Sequence, residues 1–312
     1  MMLARGLRTV SYVAARLPLP VVYTLATFIA DWVFPLIRHK RRNALDNMAQ
    51  VLGPDASPEL VRRTVRAAVR NYARYLVDFL RAPYLTEEEL ARRIRVTDWS
   101  VLDRALEGGR GVIFVGMHMG SWDMGAACLA RRGYAVHAVV DTFKHPHLNE
   151  YIQSTRRRSG LQVIPVSQAS RRVTRVLRRG EILGLLIDRP LEGDGVPVQF
   201  FGRTAYLPGG AAALALRTGA PVLVSAVLRR PDHSFEGIIS PAMTFEPSGD
   251  TQRDIQALTQ RIVLDFEEII RRHPDQWYMF RRMWQSKAHA APTWDPIAAP
   301  VEVQELPDRF LP

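Results

Sequence analysis

The chain has 312 residues, 47% hydrophobic and 23% charged, a balance that excludes a disordered protein and allows one large core or two modest ones. Its one cysteine, Cys128, excludes an intrachain disulfide framework, and no His and Cys cluster has zinc-like spacing, so redox and zinc mechanisms are not predicted. The 42 Lys and Arg against 31 Asp and Glu give a net charge of +11. This charge indicates an anionic partner, either nucleic acid, a phospholipid surface, or an acidic carrier or cofactor.

The N-terminal region contains a long apolar segment followed by a basic cluster. The segment runs from Val21 to Ile37, is interrupted by Asp31 and Pro35, and ends in the sequence RHKRR at positions 38–42. A membrane-spanning helix needs about 20 uninterrupted apolar residues, and a cleaved signal needs a site of small residues, so neither description fits well. The pattern favours a helix lying in the interface of an anionic membrane. A core helix followed by a solvated charged stretch is the alternative.

The next segment, residues 60–80, repeats apolar residues at helical spacing. On another face of this predicted helix, Arg62, Arg66 and Arg70 recur at every fourth position. A stripe of this kind is most often solvated surface. Because it follows the basic cluster, we interpret it as weak support for a side that faces a membrane or an acidic carrier.

Beyond about residue 100, five short apolar runs alternate with helix-length segments. Continuous apolar runs are typical of strands that are buried on both faces of a parallel sheet, and the alternation is that of βαβ units. The sequence therefore predicts an α/β fold with a mostly parallel central sheet covered by helices on both faces. The predicted strands are 111–117, 135–140, 161–166, 182–188 and 221–228, and the predicted helices are 121–132, 147–159, 168–179 and 209–219.

Three regions follow from this organisation. Residues 1–58 are predicted to form an N-terminal amphipathic helical region that associates with a membrane. Residues 59–291 are predicted to form the α/β domain, in which 59–99 are a helical lead-in. The proline-rich residues 292–312 are predicted to be a loosely ordered tail.

The stretch GMHMGSWDMG, residues 116–125, places His118 directly after the first predicted strand and Asp123 five positions later. Sites in open α/β sheets form at the carboxyl ends of the strands. With the helix starting near Ser121, the Asp123 carboxylate can reach back to one imidazole nitrogen and leave the other as a general base. The alternative is a simple turn histidine followed by a carboxylate that the helix dipole favours.

Three charged residues lie at or just after the end of the fourth predicted strand. If that strand is parallel to the first, Asp188, Arg189 and Glu192 arrive at the same sheet edge as His118. Arg189 then binds a phosphate or pairs with Asp188. The sequence has no Gly-x-Ser-x-Gly elbow, catalytic-cysteine signature or P-loop, so the base is expected to act on a hydroxyl of the substrate.

The sequence HMGSWD resembles the H-x4-D/E motif of glycerolipid acyltransferases. The basic-ended N-terminal helix and the segments 187–223 and 273–284 resemble the branch of bacterial lipid A biosynthesis and phosphatidylinositol mannoside acyltransferases. The resemblance implies a peripheral enzyme on the cytoplasmic face of the plasma (inner) membrane. It would move a fatty acyl group from acyl-CoA or acyl carrier protein to a glycolipid hydroxyl, without a cofactor or metal.

The same resemblance assigns roles to individual residues. It implies that His118 is the base and that Glu192, from the loop after a later strand, is the carboxylate that supports it. Asp123 would then help to order the turn. Asp141 and Arg156 are implied as groups that contact the acceptor or order a loop.

Two other classes of protein remain open at this stage. One is a non-catalytic membrane-binding or scaffold protein that has kept the fold, although a scaffold has no need of His118, Asp123 and Glu192 together. The other is a soluble hydrolase, although a serine hydrolase would need the missing nucleophile elbow. Nucleic acid is not predicted as a partner, because the basic segments lack an aromatic RNA-binding signature or a helix-turn-helix pattern.

Overall fold

The computed structural model describes residues 2–191 and 195–284. The predicted tail at 292–312 and Glu192 lie outside these residues. In chain order the elements are α1 (Met2–Arg16), α2 (Leu19–Val33), α3 (Arg38–Leu52), α4 (Pro58–Arg81), α5 (Glu87–Arg93), β1 (Ile94–Val96), α6 (Ser100–Glu107), β2 (Val112–Gly116), α7 (Trp122–Arg131), β3 (Val136–Val140), α8 (Pro146–Arg158), β4 (Gln162–Pro165), α9 (Ala169–Arg178), β5 (Ile182–Leu186), β6 (Val196–Phe200), β7 (Arg203–Leu207), α10 (Gly210–Thr218), β8 (Val222–Arg229), β9 (Phe235–Ile239) and α11 (Thr251–Arg272).

A seven-stranded sheet forms the centre of the fold, in the order β1-β9-β8-β2-β5-β3-β4. The strands β8, β2, β5, β3 and β4 are parallel, whereas β9 runs antiparallel to β8 and pairs in parallel with β1. Alternate residues of β2 are buried on opposite faces. Ile113 and Val115 pack in one core with residues of α9, α10 and α11, while Val112 and Phe114 pack in another with residues of α6 and α7. The predicted mostly parallel sheet with helices on both faces is therefore confirmed.

The five predicted strands correspond to β2, β3, β4, β5 and β8. Four other strands were not predicted. The hairpin of β6 and β7 mixes buried residues with half-buried and exposed ones, β9 mixes buried with half-buried ones, and β1 has only three residues. Their apolar signal is therefore too short or too interrupted to stand out in the sequence.

The helix α2 packs on α4 but buries only Val22 and Tyr23. The apolar side chains on its other side remain in solvent; Phe28 is 61% exposed and Trp32 is 68% exposed. A core helix buries most of its apolar residues, so the core-helix alternative does not describe α2. By length and composition alone, the residues from Leu19 to Leu36 are apolar enough to cross a membrane, with a mean hydropathy of 1.5.

The interruption of the apolar segment by Asp31 has a structural reason. Its carboxylate accepts hydrogen bonds from Arg70 at 2.6 Å and from Arg66 at 2.9 Å, which ties α2 to α4. Those two bonds hold the pKa of Asp31 well below its usual range. Arg62 in turn pairs with Glu59 at 2.8 Å. The arginine stripe of α4 thus pairs with acidic side chains of the chain itself while its side chains stay exposed, and its interpretation as a side that faces a membrane or an acidic carrier stays a prediction.

Candidate active site

His118 lies just after β2, in the turn that leads to α7. Its ring atom Nδ1 lies 2.6 Å from Oδ1 of Asp188, and its backbone amide donates to Oδ2 of the same carboxylate at 2.9 Å. A ring nitrogen that faces a carboxylate carries the proton, so Nε2 is left as the nitrogen that can accept one. The His118 side chain is 12% exposed, so the ring is shielded on most sides without being sealed from solvent.

Asp188 is fully buried, and its charge is supported by three hydrogen bonds. Besides the two from His118, the indole Nε1 of Trp277 donates to Oδ2 at 3.0 Å. Burial alone raises the pKa of Asp188, but the charge of the His118 ring and these hydrogen bonds outweigh burial and hold the pKa below its usual range. The buried carboxylate is therefore ionised and stabilises a positive charge on the imidazole.

The register of the sheet brings these two residues together. Strands β2 and β5 are parallel neighbours in which Gly116 lies opposite Leu186. His118 and Asp188 each follow two residues later, so they leave the sheet side by side at its carboxyl edge. The prediction that Asp188 reaches the same edge as His118 is confirmed.

The turn that carries His118 is pressed against β8 and the chain after α11. Gly120 has a φ of +59°, and a Cβ there would lie 1.9 Å from the carbonyl oxygen of Val227. Its amide donates to the carbonyl of Gln276 at 2.9 Å, and the amide of Tyr278 donates to the carbonyl of His118 at 2.8 Å. Only glycine fits this close approach, which fixes the backbone on both sides of the imidazole.

The aromatic segment that follows α11 is packed rather than exposed. Trp277, Tyr278 and Trp284 are at most 5% exposed, and Phe280 is half-buried. The hydrogen bond from Trp277 to Asp188 was not predicted. The only sequence signal for it is the resemblance of residues 273–284 to the terminal segment of the acyltransferase branch.

Asp123 is buried at the start of α7, and its bonds go to two other helices. The hydroxyl of Tyr75 in α4 donates to its Oδ2 at 2.7 Å, and Nε of Arg156 in α8 donates to its Oδ1 at 2.8 Å. The carboxylate on the His118 ring is thus Asp188 and not Asp123, contrary to the geometry expected from the H-x4-D spacing. The contacts of Asp123 instead tie the turn to α4 and α8.

The remaining candidate residues lie farther from the imidazole. Arg189 does not pair with Asp188, because its Nη1 donates to Asp141 at 3.3 Å across the carboxyl edge of the sheet. Both side chains of that pair are exposed, by 37% and 65%, so it contributes little to stability and is accessible to a ligand. Glu192 lies outside the described residues, and its assignment stays a prediction.

An apolar cavity of about 140 Å³ lies between the sheet and α7. Its lining includes Met117, Met119 and Trp122, which lie close to His118 in the chain, and small residues such as Ala138 and Gly184. A Cβ added at Gly184 would meet only the carbonyl oxygen of residue 137, at 3.6 Å. The cavity therefore has free space beside Gly184, and its apolar lining suits a hydrocarbon chain.

Cys128 also lines this cavity, from α7. Its side chain is buried, and burial raises the pKa of the thiol above its usual value. A thiol with a raised pKa is protonated at neutral pH, and the thiolate is the nucleophilic form. Cys128 is therefore poorly suited to attack a thioester.

Known proteins resemble the chain over most of its length. Phosphatidylinositol mannoside acyltransferase from Mycobacterium tuberculosis is 31% identical over 247 residues, 76% of this chain and 75% of that protein. The protein of the same name from Mycolicibacterium smegmatis is 30% identical over 244 residues, 76% of this chain and 77% of that protein. Lipid A biosynthesis palmitoleoyltransferase from Escherichia coli is 23% identical over 278 residues, 87% of each chain.

The chain matches the family described as bacterial lipid A biosynthesis acyltransferase over residues 8–286. This range contains the turn with His118, the strand that leads to Asp188, the cavity and the segment with Trp277. The whole candidate site thus lies inside the matched region. On this evidence the chain is an acyltransferase of the bacterial lipid A biosynthesis acyltransferase family.

Proposed function

We propose that the chain is a membrane-associated enzyme that transfers a fatty acyl group from acyl-CoA or acyl carrier protein to a hydroxyl of a glycolipid. One observation carries the proposal. An imidazole is held by a buried carboxylate through Nδ1, with Nε2 left to accept a proton, and its chain neighbours Met117, Met119 and Trp122 line an apolar cavity. Relatives named for phosphatidylinositol mannoside and lipid A support a glycolipid acceptor of either kind.

The reaction is a direct transfer. Nε2 of His118 removes the proton from the acceptor hydroxyl as its oxygen attacks the thioester carbonyl, and Asp188 stabilises the imidazolium that forms. The tetrahedral intermediate collapses to the new ester and expels the thiolate, which takes the proton from His118. The products are an acylated glycolipid and a free thiol carrier, and the enzyme returns to its starting protonation state. No metal or cofactor takes part.

No covalent acyl-enzyme is expected on this route. The buried, protonated Cys128 supports direct attack, since it is the only thiol in the chain. Donor and acceptor must then be bound together, which gives intersecting double-reciprocal lines rather than the parallel lines of a ping-pong mechanism. At the rim of the site, the exposed Arg189 and Asp141 are suited to contact the polar headgroup of the acceptor.

The proposed location is the cytoplasmic face of the inner membrane, with the enzyme bound peripherally. The exposed apolar side of α2, which includes Phe28 and Trp32, continues into Leu36, which is 79% exposed. The basic residues at positions 38–42 follow at once and are all exposed. A bulky apolar surface next to basic residues is typical of helices that lie in an anionic membrane interface.

The test compares two histidines that both bond to a carboxylate. His118→Ala is expected to lower acyl transfer by at least about 100-fold, the usual contribution of a positioned general base. The matched control is His137→Ala, because Nε2 of His137 bonds to Glu181 at 2.7 Å near the starts of β3 and β5, on the opposite edge of the sheet. Transfer is measured with purified, folded protein, radiolabelled acyl donor and glycolipid acceptor. Full activity of His118→Ala, or an equal loss in both variants, would contradict the mechanism.

The role of the cavity is tested in the same assay. Gly184→Val adds a three-carbon side chain where an added Cβ has room, so the variant should fold but reduce the space for the acyl chain. We expect turnover of long acyl donors to fall by at least about tenfold relative to short ones, since a single methylene group in an apolar pocket is worth about 1–3 kcal/mol. An unchanged preference over a series of acyl lengths would place the acyl chain elsewhere.

A further inference from the structure

The helix α9 presents a solvent face made of arginine. Its apolar residues Val173, Val176 and Leu177 are buried in the core beneath the sheet. All five arginines in and just after the helix are exposed, and neither Asp nor Glu occurs between positions 169 and 180. These arginines are Arg171, Arg172, Arg175, Arg178 and Arg179.

These arginines differ from those of α4 in that no acidic side chain neutralises them. Among the described residues, no carboxylate forms an ion pair with the α9 arginines, and Arg172 has only a hydrogen bond to Oε1 of Gln168 at 2.8 Å. Arg171, Arg175 and Arg178 recur at helical spacing, so their side chains lie on one face. An unneutralised basic face of this kind attracts an anionic partner.

An anionic membrane and an acidic protein can both bind a basic surface. Exposed bulky apolar residues next to the basic ones distinguish a membrane-binding surface from a protein-binding one. Membrane-binding helices combine basic residues with exposed bulky apolar ones, as α2 and the start of α3 do. On α9 the large apolar side chains are buried, and the nearest exposed one, Val166, belongs to the turn before the helix. The α9 face therefore suits the polar, acidic surface of a protein better than a lipid interface.

The position of α9 connects it with the active site. The helix begins just after the carboxyl end of β4, at the sheet edge where His118 follows β2. In the sheet order β2-β5-β3-β4 those two strands are three positions apart, which is about 14 Å at the usual strand spacing of about 4.8 Å. A protein that carries a thioester on an extended arm could sit on the start of α9 and bring that thioester to the imidazole.

We infer that α9 is the docking surface for a small acidic acyl carrier protein that presents the acyl thioester. The inference rests on the proposed acyl transfer and names where its protein donor binds. The contact is electrostatic and solvent-exposed, so it acts mainly on the association of donor and enzyme rather than on the chemical step.

The test is charge reversal on one face of the helix, with two donors of the same acyl group. Arg171→Glu with Arg175→Glu is expected to raise the KM for acyl carrier protein by at least about tenfold and leave kcat nearly unchanged. The KM for acyl-pantetheine, an uncharged thioester without the carrier, should not change. Added salt should raise the carrier KM of the unaltered enzyme and have little effect on that of the variant.

The matched control reverses the same number of charges elsewhere. Arg131→Glu with Arg253→Glu alters exposed arginines of α7 and α11 and should leave the carrier KM unchanged. Direct titration of each enzyme with fluorescent acyl carrier protein gives a Kd that needs no turnover. If the unaltered enzyme transfers from neither donor, the proposed function fails, and the Kd values still decide whether α9 binds the carrier.

Two results would overturn the inference. One is an equal loss of carrier affinity in the α9 and control variants, which would indicate a response to net charge alone. The other is an unchanged carrier KM and Kd in the α9 variant together with weaker sedimentation on vesicles of phosphatidylglycerol and phosphatidylethanolamine. That outcome would assign α9 to the membrane.

Discussion

Two buried carboxylates meet the turn that carries His118, and they differ in the partner that each one holds. Asp188 bonds to an imidazole, whereas Asp123 bonds to the guanidinium of Arg156 and the phenol of Tyr75. An imidazole gains and loses a proton near neutral pH, but a guanidinium keeps its charge. Only Asp188 therefore faces a group whose charge changes during proton transfer. Asp188 is suited to the reaction, and Asp123 is suited to holding the turn.

The protonation of the Asp123 cluster is fixed by its surroundings. Burial alone lowers the pKa of Arg156, but the charge and hydrogen bonds of Asp123 outweigh burial and raise the pKa above its usual value. Burial, and then the charge of Asp123, raise the pKa of Tyr75 well above its usual value. Both partners thus keep their protons over the working pH range, and the cluster acts as a structural unit that joins α4, α7 and α8.

Of the two carboxylates, Asp188 is expected to have the larger effect on the reaction when it is substituted. In Asp188→Asn the imidazole loses the charge that stabilises its protonated form and the acceptor that fixes its tautomer, so kcat should fall by about 10²–10⁴-fold. The side chain keeps its size, so circular dichroism should report an unchanged fold. Initial rates with saturating donor and acceptor measure the loss.

Glu192→Gln, measured in the same assay, tests whether Glu192 rather than Asp188 is the carboxylate that supports His118. The resemblance to the mannoside branch implies that Glu192 supports His118 and that Glu192→Gln costs more activity than Asp123→Asn. If Glu192→Gln inactivates the enzyme while Asp188→Asn retains at least half of the activity, Asp188 is not the supporting carboxylate and the comparison fails. Loss in Asp188→Asn alone assigns that role to Asp188.

The sequence predicts the parts of this site that depend on local pattern. Buried parallel strands are continuous apolar runs, so the ends of β2 and β5 were predicted to within two residues. The end of β2 gives the position of His118, and the end of β5 gives that of Asp188. The need for glycine at position 120 comes from contact with the backbone of β8, which only the folded chain shows.

The sequence does not predict which carboxylate meets which cation. Asp123 lies five positions from His118 and Asp188 lies seventy, yet Asp188 makes the contact because β5 is the neighbour of β2 in that register. The ion pairs of Asp31 with Arg66 and Arg70 could not be predicted from the sequence either, because the paired residues are more than thirty positions apart. Such choices depend on tertiary packing, which no local spacing encodes.

Substitution of Asp123 is expected to lower activity less than substitution of Asp188, and to lower stability substantially. Asp123→Asn leaves the charge of Arg156 buried without its partner, and breaking a buried ion pair from one side costs about 3–5 kcal/mol of unfolding free energy. Removing only the hydrogen bond from the phenol to this carboxylate, in Tyr75→Phe, should cost about 1.5–3 kcal/mol, because the acceptor is charged. Urea unfolding, followed by tryptophan fluorescence, measures both values.

A double variant shows whether the stability lost in Asp123→Asn comes from the unpaired charge of Arg156 or from a general loss of packing. In the Asp123→Asn background, Arg156→Gln removes the unpaired charge, so the double variant should be more stable than Asp123→Asn alone. At a temperature where all variants are folded, each should keep more activity than Asp188→Asn, because the bond from Asp188 to His118 is intact. An Asp123→Asn enzyme with unchanged unfolding free energy but as little turnover as Asp188→Asn would assign Asp123 to the chemistry. It would also show that a carboxylate paired with arginine takes part in moving the proton.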